Sequence, residues 1–195
     1  MIKINRAEAP RILQNTPRSE SSYNNHNVTS VLLTMQFTKC AYCEKSIKEG
    51  AQVDHYIPID EFVIGTNSDG SKRYNWTKAN RWQNLLYSCV KCNGAKKRKN
   101  PFKGHTRVII DPSNSYIDPE KYLDFRVNDI NNINVIVSII PKNKSTIGKN
   151  TINNLKLDIR RDHIGELNIL AIEFENLFLT LLLKIKQGLD INHID

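Results

Sequence analysis

Two pairs of thiols carry the clearest chemical spacing in the chain, Cys40-Ala41-Tyr42-Cys43 and Cys89-Val90-Lys91-Cys92. Two residues between thiolates let a tight turn aim both sulfurs at one point, and two such turns supply the four ligands of a tetrahedral zinc ion. The 45 residues from Glu44 to Ser88 exceed what a compact zinc ribbon holds, so a sizeable insert lies between the two knuckles. A redox pair or an iron site draws on the same residue type. A redox pair, however, needs no second pair and normally lies beside a βαβ pattern, which the sequence lacks. Structural zinc in a reducing compartment is the expected role.

The insert and its exit hold the remaining chemistry: Asp54-His55 followed by Pro58, then Asn84-Leu85, then Asn93 directly after the last cysteine and Lys96 three residues on. Adjacent residues on a strand point to opposite faces, so Asp54 and His55 suit different tasks. A hard oxygen ligand such as Asp54 suits Mg2+ or Mn2+. A neutral imidazole held by a carboxamide suits removal of a proton from water. Phosphodiester hydrolysis uses both, an ion to stabilise charge on the scissile phosphate and a base to make the nucleophile. The run Lys96-Lys97-Arg98-Lys99 leaves this region within two helical turns and reads as a phosphate-contacting face, against the blander reading of a solvated helix side. Trp76, Trp82, Tyr74 and Tyr87 read as packing around a small core rather than as stacking platforms for bases. His26, His105, His163 and His193 lack a matched carboxylate or cysteine spacing.

The elements that must position these groups follow from periodicity and punctuation. A short helix-like stretch, Ala7–Gln14, precedes a polar arm with Pro17 and a Ser/Asn run. Val28, Val31, Leu32 and Met35 fall at helical spacing in Val28–Phe37, which leads into the first knuckle. Gln52–Ile59 is strand-like, Phe62–Asn75 reads as a flexible loop, and Asn80–Ser88 enters the second knuckle. A short basic helix starts at Asn93–Arg98. Val108–Ile110 and Asn134–Ile140 read as strands, and Thr146–Leu157 and Asp162–Gln187 as helices. In the last of these, Leu167, Leu170, Phe174, Leu177, Phe178, Leu181 and Ile185 form one stripe, read as core packing with a partner-binding groove as the alternative.

Composition sets the outer bounds. The 195 residues are 25% charged and 39% hydrophobic, which is globular composition. Lys plus Arg number 28 against 20 Asp plus Glu, a formal net charge of +8 with a sequence pI near 9.3. That excess suits an anionic partner, nucleic acid above all. The longest apolar stretch, Leu177–Leu183, is interrupted by Thr180 and falls far short of the roughly 20 residues of a membrane span. Met1–Ile4 is too short and too polar-flanked for a signal-peptide core, so a cytoplasmic location is expected.

Taken in order, Cys40-x-x-Cys43, Asp54-His55-x-x-Pro58, Asn84-Leu85 and Cys89-x-x-Cys92-Asn93-x-x-Lys96 resemble the HNH nuclease family in its four-cysteine form. The resemblance implies a ββα-metal core in which a hairpin and a helix grip one divalent ion, Mg2+ or Mn2+. It implies His55 as general base, Asn84 as the residue orienting it, and Asp54 and Asn93 as ligands of the ion. Asn93 stands where many relatives carry a histidine. Ile2-Lys3-Ile4-Asn5-Arg6, Cys40-Ala41-Tyr42-Cys43-Glu44, Ile110-Asp111-Pro112 with Asp118-Pro119, and Thr151-Ile152 upstream of Leu167-Asn168 further resemble the HNH proteins encoded with retron and Septu anti-phage systems (PtuB-like). The Leu-Asn step lies farther from the Thr-Ile pair than that pattern has it. This second resemblance implies an ABC/SMC-type, PtuA-like ATPase as partner and defence by DNA cleavage as the role.

The expected architecture is therefore α+β: residues 1–36 an N-terminal arm and helix, 37–104 a ββα-metal core stapled by four cysteines, and 105–195 a strand and helix extension packed on that core. The expected function is a metal-dependent endonuclease acting on DNA. The alternative is a zinc-stabilised, non-catalytic nucleic-acid-binding or assembly subunit, which has no need of Asp54, His55 and Asn93 together.

Overall fold

The computed structural model describes residues 1–15, 17–47, 50–128, 136–158, 173–174 and 176–183. In chain order its elements are α1 (Arg11–Gln14), α2 (His26–Met35), β1 (Ala51–His55), β2 (Val63–Thr66), β3 (Lys72–Tyr74), α3 (Trp76–Ala79), β4 (Leu85–Cys89), α4 (Val90–Lys96), β5 (Phe102–Lys103), β6 (Thr106–Arg107), β7 (Leu123–Asn128), β8 (Ile136–Pro141) and α5 (Thr146–Leu155). Among the described residues the strands pair two by two: β1 with β4, β2 with β3, β5 with β6, and β7 with β8. The mixture of helix and strand matches the α+β expectation. The chain divides into two units, one of residues 1–124 with 140–158, the other of residues 125–139 with 159–195.

The first unit is organised around β1, β4 and α4. The two strands run antiparallel with Asp54 opposite Leu86 and His55 opposite Leu85, pairs 32 and 30 positions apart in sequence. β4 passes directly into α4, whose N-cap is Cys89. The Cys89 sulfur accepts a hydrogen bond from the Cys92 N–H, and Lys97, at φ 51°, ends the helix. Leu85 and Leu86 are fully buried, as are Val28 and Leu32 on the inner face of α2. That helix begins where the Asn25 side chain accepts from the Asn27 N–H at 2.9 Å, a side-chain cap on the first turn.

The residues before α1 form a docked strap rather than a loose arm. The Ile4 N–H donates to the Pro112 carbonyl at 2.8 Å, and the Lys3 ammonium to the carbonyls of Asn114 and Ile117. Arg6 donates to the carbonyls of Trp82 (2.7 Å) and Gln83 (3.0 Å) and to Ser113 Oγ (3.1 Å), and its guanidinium lies over the Trp82 ring. Burial there lowers the Arg6 pKa to about 10. Trp82 itself is buried, in line with a packing role.

Three expectations are corrected. Phe62–Asn75 is not a flexible loop: it holds the β2–β3 hairpin, because Asn67, Asp69 and Gly70 are gathered at its tip, where Asp69 Oδ1 accepts the Ser71 N–H at 2.8 Å and Gly70 takes φ 83°. Among the described residues Val108–Ile110 pairs with no strand. Ile109 and Ile110 are buried, and the Ile110 N–H donates to Thr151 Oγ1 on α5 at 2.9 Å, so a helix hydroxyl replaces a strand neighbour. In the second unit residues 176–183 are helical, but Phe174, Leu177 and Phe178 are exposed instead of forming core, and Leu181 is half-buried. Leu167, Leu170 and Ile185 of the same stripe lie outside the described residues, as do His163 and His193. The strand expected over Asn134–Ile140 begins, among the described residues, at Ile136.

α5 is seated by a close approach. The Ser145 side chain accepts from the Gly148 N–H, and a Cβ on Gly148 would lie 2.2 Å from the Tyr122 carbonyl oxygen. That carbonyl is backbone and cannot swing away. Gly148→Ala is therefore expected to lower the urea midpoint by an amount corresponding to about 1–3 kcal/mol, with an unchanged slope; an unaltered midpoint would show that α5 relaxes freely.

Candidate metal centre and active site

The two cysteine pairs converge as their spacing predicts. The sulfurs of Cys40, Cys43, Cys89 and Cys92 all lie within 4.8 Å of one another. The first pair sits in a turn closed by Cys40 N–H to Lys45 carbonyl (2.9 Å) and Glu44 N–H to Cys40 carbonyl (3.0 Å), with Glu44 at φ 62°. The second pair spans the end of β4 and the first turn of α4. Cys43 Sγ and Cys89 Sγ are 3.8 Å apart, far beyond a disulfide bond. A tetrahedron with metal–sulfur bonds of about 2.3 Å has edges of about 3.8 Å, which is the Cys43–Cys89 separation, and four sulfurs within 4.8 Å of one another are compatible with such a site. The Cys89 N–H points at Cys40 Sγ (3.3 Å) and the Cys92 N–H at Cys89 Sγ (3.4 Å), an environment that favours thiolate. The four residues fit a structural zinc ion.

β1 carries its side chains alternately, and α4 lies along one of its faces. Asn93 Nδ2 donates to Gln52 Oε1 at 2.8 Å, and Lys96 Nζ donates to Asp54 Oδ1 at 3.0 Å, so an i,i+3 pair on the helix meets an i,i+2 pair on the strand. Lys96 also donates to the His55 carbonyl at 2.8 Å, and the Tyr42 hydroxyl donates to Asp54 Oδ2 at 2.5 Å. Asp54, Lys96 and Tyr42 are all buried. Burial pushes the Asp54 carboxyl up from its ordinary value, opposed by Lys96 and by the Tyr42 hydrogen bond. Burial beside Asp54 drives the Tyr42 phenol far up, so it stays a neutral donor.

Lys96 therefore does not belong to a phosphate-facing surface. Four residues after Cys92, it shares that cysteine's inward side, and its ammonium is spent on Asp54. Lys97, Arg98 and Lys99, beyond the end of α4, are exposed, with Arg98 Nη1 3.0 Å from Asp60 Oδ2. Both oxygens of Asp54 are taken and the Asn93 amide is turned to Gln52. In this arrangement the two residues do not fit a divalent ion, which would first have to displace an ammonium.

His55 points to the other side of β1 and is half-buried. Its Nε2 lies 2.8 Å from Asn80 Oδ1, and the Tyr23 ring meets it edge-on at 4.6 Å. Burial lowers the His55 pKa, so the ring is neutral at physiological pH. Asn84, expected to orient this ring, is instead spent on main chain. Its Oδ1 accepts from the Ile57 N–H (2.7 Å), and its Nδ2 donates to the carbonyls of Ile57 (3.0 Å) and Ala79 (2.9 Å). Its own carbonyl accepts from the Tyr56 N–H at 2.8 Å. Asn84 thus braces the two residues after the histidine, Tyr56 and Ile57, and ties them to the end of α3, while its hydrogen bonds go to main chain rather than to the imidazole. The side chain that hydrogen-bonds it, Asn80, escapes the sequence reading, which has it only as the start of the segment entering the second knuckle.

Four thiols placed so that they could hold one metal ion, beside a strand–strand–helix unit with a neutral histidine at the strand end, are what the fold brings together. Relatives narrow it. Over 105 residues the chain is 31% identical to the Septu protein PtuA of Bacillus mycoides (strain KBAB4), covering 45% of this chain and 14% of that protein. It is 28% identical over 123 residues to the Septu protein PtuB of the same strain, covering 54% and 40%. It is 29% identical over 130 residues to the Septu protein PtuB of Bacillus thuringiensis, covering 65% and 39%. The chain is thus a weak homologue of Septu proteins and spans at most two fifths of the length of these curated relatives. No family model matches it, and no solved structure matches it. Among the described residues no helix is long and apolar enough to cross a membrane.

Two measurements check the site. The purified chain is expected to carry one zinc per molecule, and Cys89→Ser to lose it together with cooperative thermal unfolding; a zinc-free chain with an unchanged melting curve would contradict a structural ion. Lys96→Met should leave Asp54 buried without its cation and cost about 3–5 kcal/mol in urea unfolding, while Asp54→Asn combined with Lys96→Met should recover part of that loss. Equal midpoints for wild type and Lys96→Met would mean the pair contributes nothing.

Proposed function

We propose that the chain is an HNH-type endonuclease acting on DNA within a Septu-related anti-phage defence system. The observation that carries this reading is the neutral, half-buried His55 at the end of β1, on a strand fixed by α4 and by the four-thiol centre. A neutral imidazole with one nitrogen hydrogen-bonded can take a proton from water at the other; the hydroxide so formed attacks phosphorus while the P–O bond to the 3′ oxygen breaks, and that oxygen leaves and takes up a proton from solvent. The net charge of +8 and the exposed Lys97, Arg98 and Lys99 suit a polyanionic substrate. The similarity to PtuB supports the defence role, and the family resemblance supports an ABC/SMC-type, PtuA-like ATPase as partner. The same resemblance brings Mg2+ or Mn2+ at Asp54 and Asn93; the present contacts of those residues do not fit the ion, and its binding would require Lys96 to leave Asp54.

That occupied carboxylate is also the observation that favours a second reading, a zinc-stabilised nucleic-acid-binding or assembly subunit without catalysis. Incubation of supercoiled plasmid with Mg2+ or Mn2+, with and without the ATPase partner, separates the two. Wild type is expected to nick, and His55→Ala to retain zinc and fold while losing roughly 100-fold or more of the rate. Binding without cleavage under every condition would establish the second reading.

A further inference from the structure

The geometry points to Asn80 as the positioning residue of His55, fixing the imidazole with its proton on Nε2 and its lone pair on Nδ1. This rests on the nuclease reading for its catalytic meaning, though not for its structural content. Asn80 follows α3 directly and is fully buried. Its main chain is held at both ends: the N–H donates to the Trp76 carbonyl at 2.9 Å, and the carbonyl accepts from Arg18 Nη1 at 3.1 Å.

The carboxamide spans two partners, Ser19 and His55. Its nitrogen end faces the Ser19 carbonyl oxygen at 2.8 Å. A carbonyl oxygen has no hydrogen to give, so the group facing it must be the amide NH2. The other end, 2.8 Å from His55 Nε2, is therefore the amide oxygen, which can only accept. A hydrogen bond there requires Nε2 to carry the proton. A neutral imidazole has only one, so Nδ1 holds the lone pair and is the atom that receives a proton from water. A 180° ring flip would put a carbon against Asn80 Oδ1 and forfeit the bond, and the Tyr23 ring at 4.6 Å restricts the ring's swing.

The segment around Arg18 and Ser19 is thus part of the site although it lies some sixty positions from Asn80 in sequence. Arg18 adds a hydrogen bond from Nη1 to the Thr77 carbonyl at 3.0 Å, and its N–H reaches Thr77 Oγ1 at 3.2 Å, tying the segment to α3 on both sides of the carboxamide. Asn84 reaches the same place from behind, through its bond to the carbonyl of Ala79, the residue before Asn80.

The test is nitrogen-15 NMR of the histidine side chains in the full-length, zinc-loaded chain at a pH where His55 is neutral. For wild type the expected result is a protonated Nε2 on His55 whose proton exchanges slowly, against rapid exchange for the exposed His26 and His105. In Asn80→Ala that protected proton is expected to vanish, and plasmid nicking to fall about 10–100-fold in kcat with unchanged DNA affinity. A wild-type His55 protonated on Nδ1, or an Nε2 proton exchanging as fast as those of His26 and His105, overturns the inference, and this measurement needs no variant to fold. A protected Nε2 proton in a chain that never nicks DNA leaves the inference standing and removes the nuclease reading. His55-dependent nicking without that proton does the reverse.

Discussion

Convergence of four sulfurs on one point is the constraint from which the rest of the first unit takes its form. It ties the turn at residues 40–43 to the junction of β4 and α4, so the direction of α4 is set before any of its other contacts is considered. Buried Gln36 reinforces the same junction: its Nε2 donates to the carbonyls of Tyr87 (2.8 Å) and Lys39 (2.9 Å), and its Oε1 accepts from the Tyr87 N–H (2.9 Å). With Ala41 N–H on the Tyr87 carbonyl at 3.0 Å, the first knuckle is sewn to the edge of β4. A two-stranded ribbon buries too little apolar surface to hold its shape alone, and here side-chain and main-chain hydrogen bonds, beside four thiols that could bind a metal, tie it to its neighbours.

The buried Asp54–Lys96 pair is a second tier of the same design. Two desolvated charges give little net stability, and their value lies in specificity. With Tyr42 on one carboxylate oxygen and Lys96 on the other, sliding α4 by one residue along β1 would strand both charges. The companion contact of Asn93 with Gln52 follows the same register. Strand face, helix face and knuckle therefore agree, and His55 is left on the side away from α4, where the insert and the segment before α2 can reach it.

How much of this could be read from the chain alone depends on how far apart the partners lie. The cysteine pairs were legible because spacing within each pair is local chemistry. The opposite facing of Asp54 and His55 was legible because strand alternation has no exceptions over two residues. The inward turn of Lys96 had a usable signal, its four-residue step from Cys92, but the basic run around it masks that step. The β2–β3 hairpin is hidden in the sequence because its strands are short and the turn residues Asn67, Asp69 and Gly70 dominate the stretch. Asn80 was out of reach: its partners, Ser19 and His55, are 61 and 25 positions away, and only the folded chain brings them to one carboxamide. The strap was hidden for the same reason, since Arg6 and Ile4 pair with residues near 82 and 112.

These separations have a consequence for biosynthesis. A ribosome delivers Ile4, Arg6 and the first thiol pair long before their counterparts. The four-thiol site stays incomplete until Cys92 emerges, the strap has nowhere to lie until Pro112 and Asn114 follow, and Ile110 waits for Thr151. The first thiol pair, the strap and Ile110 thus meet their counterparts in succession, as Cys92, Pro112 and Thr151 are added, and each waits as a half-assembled surface until then.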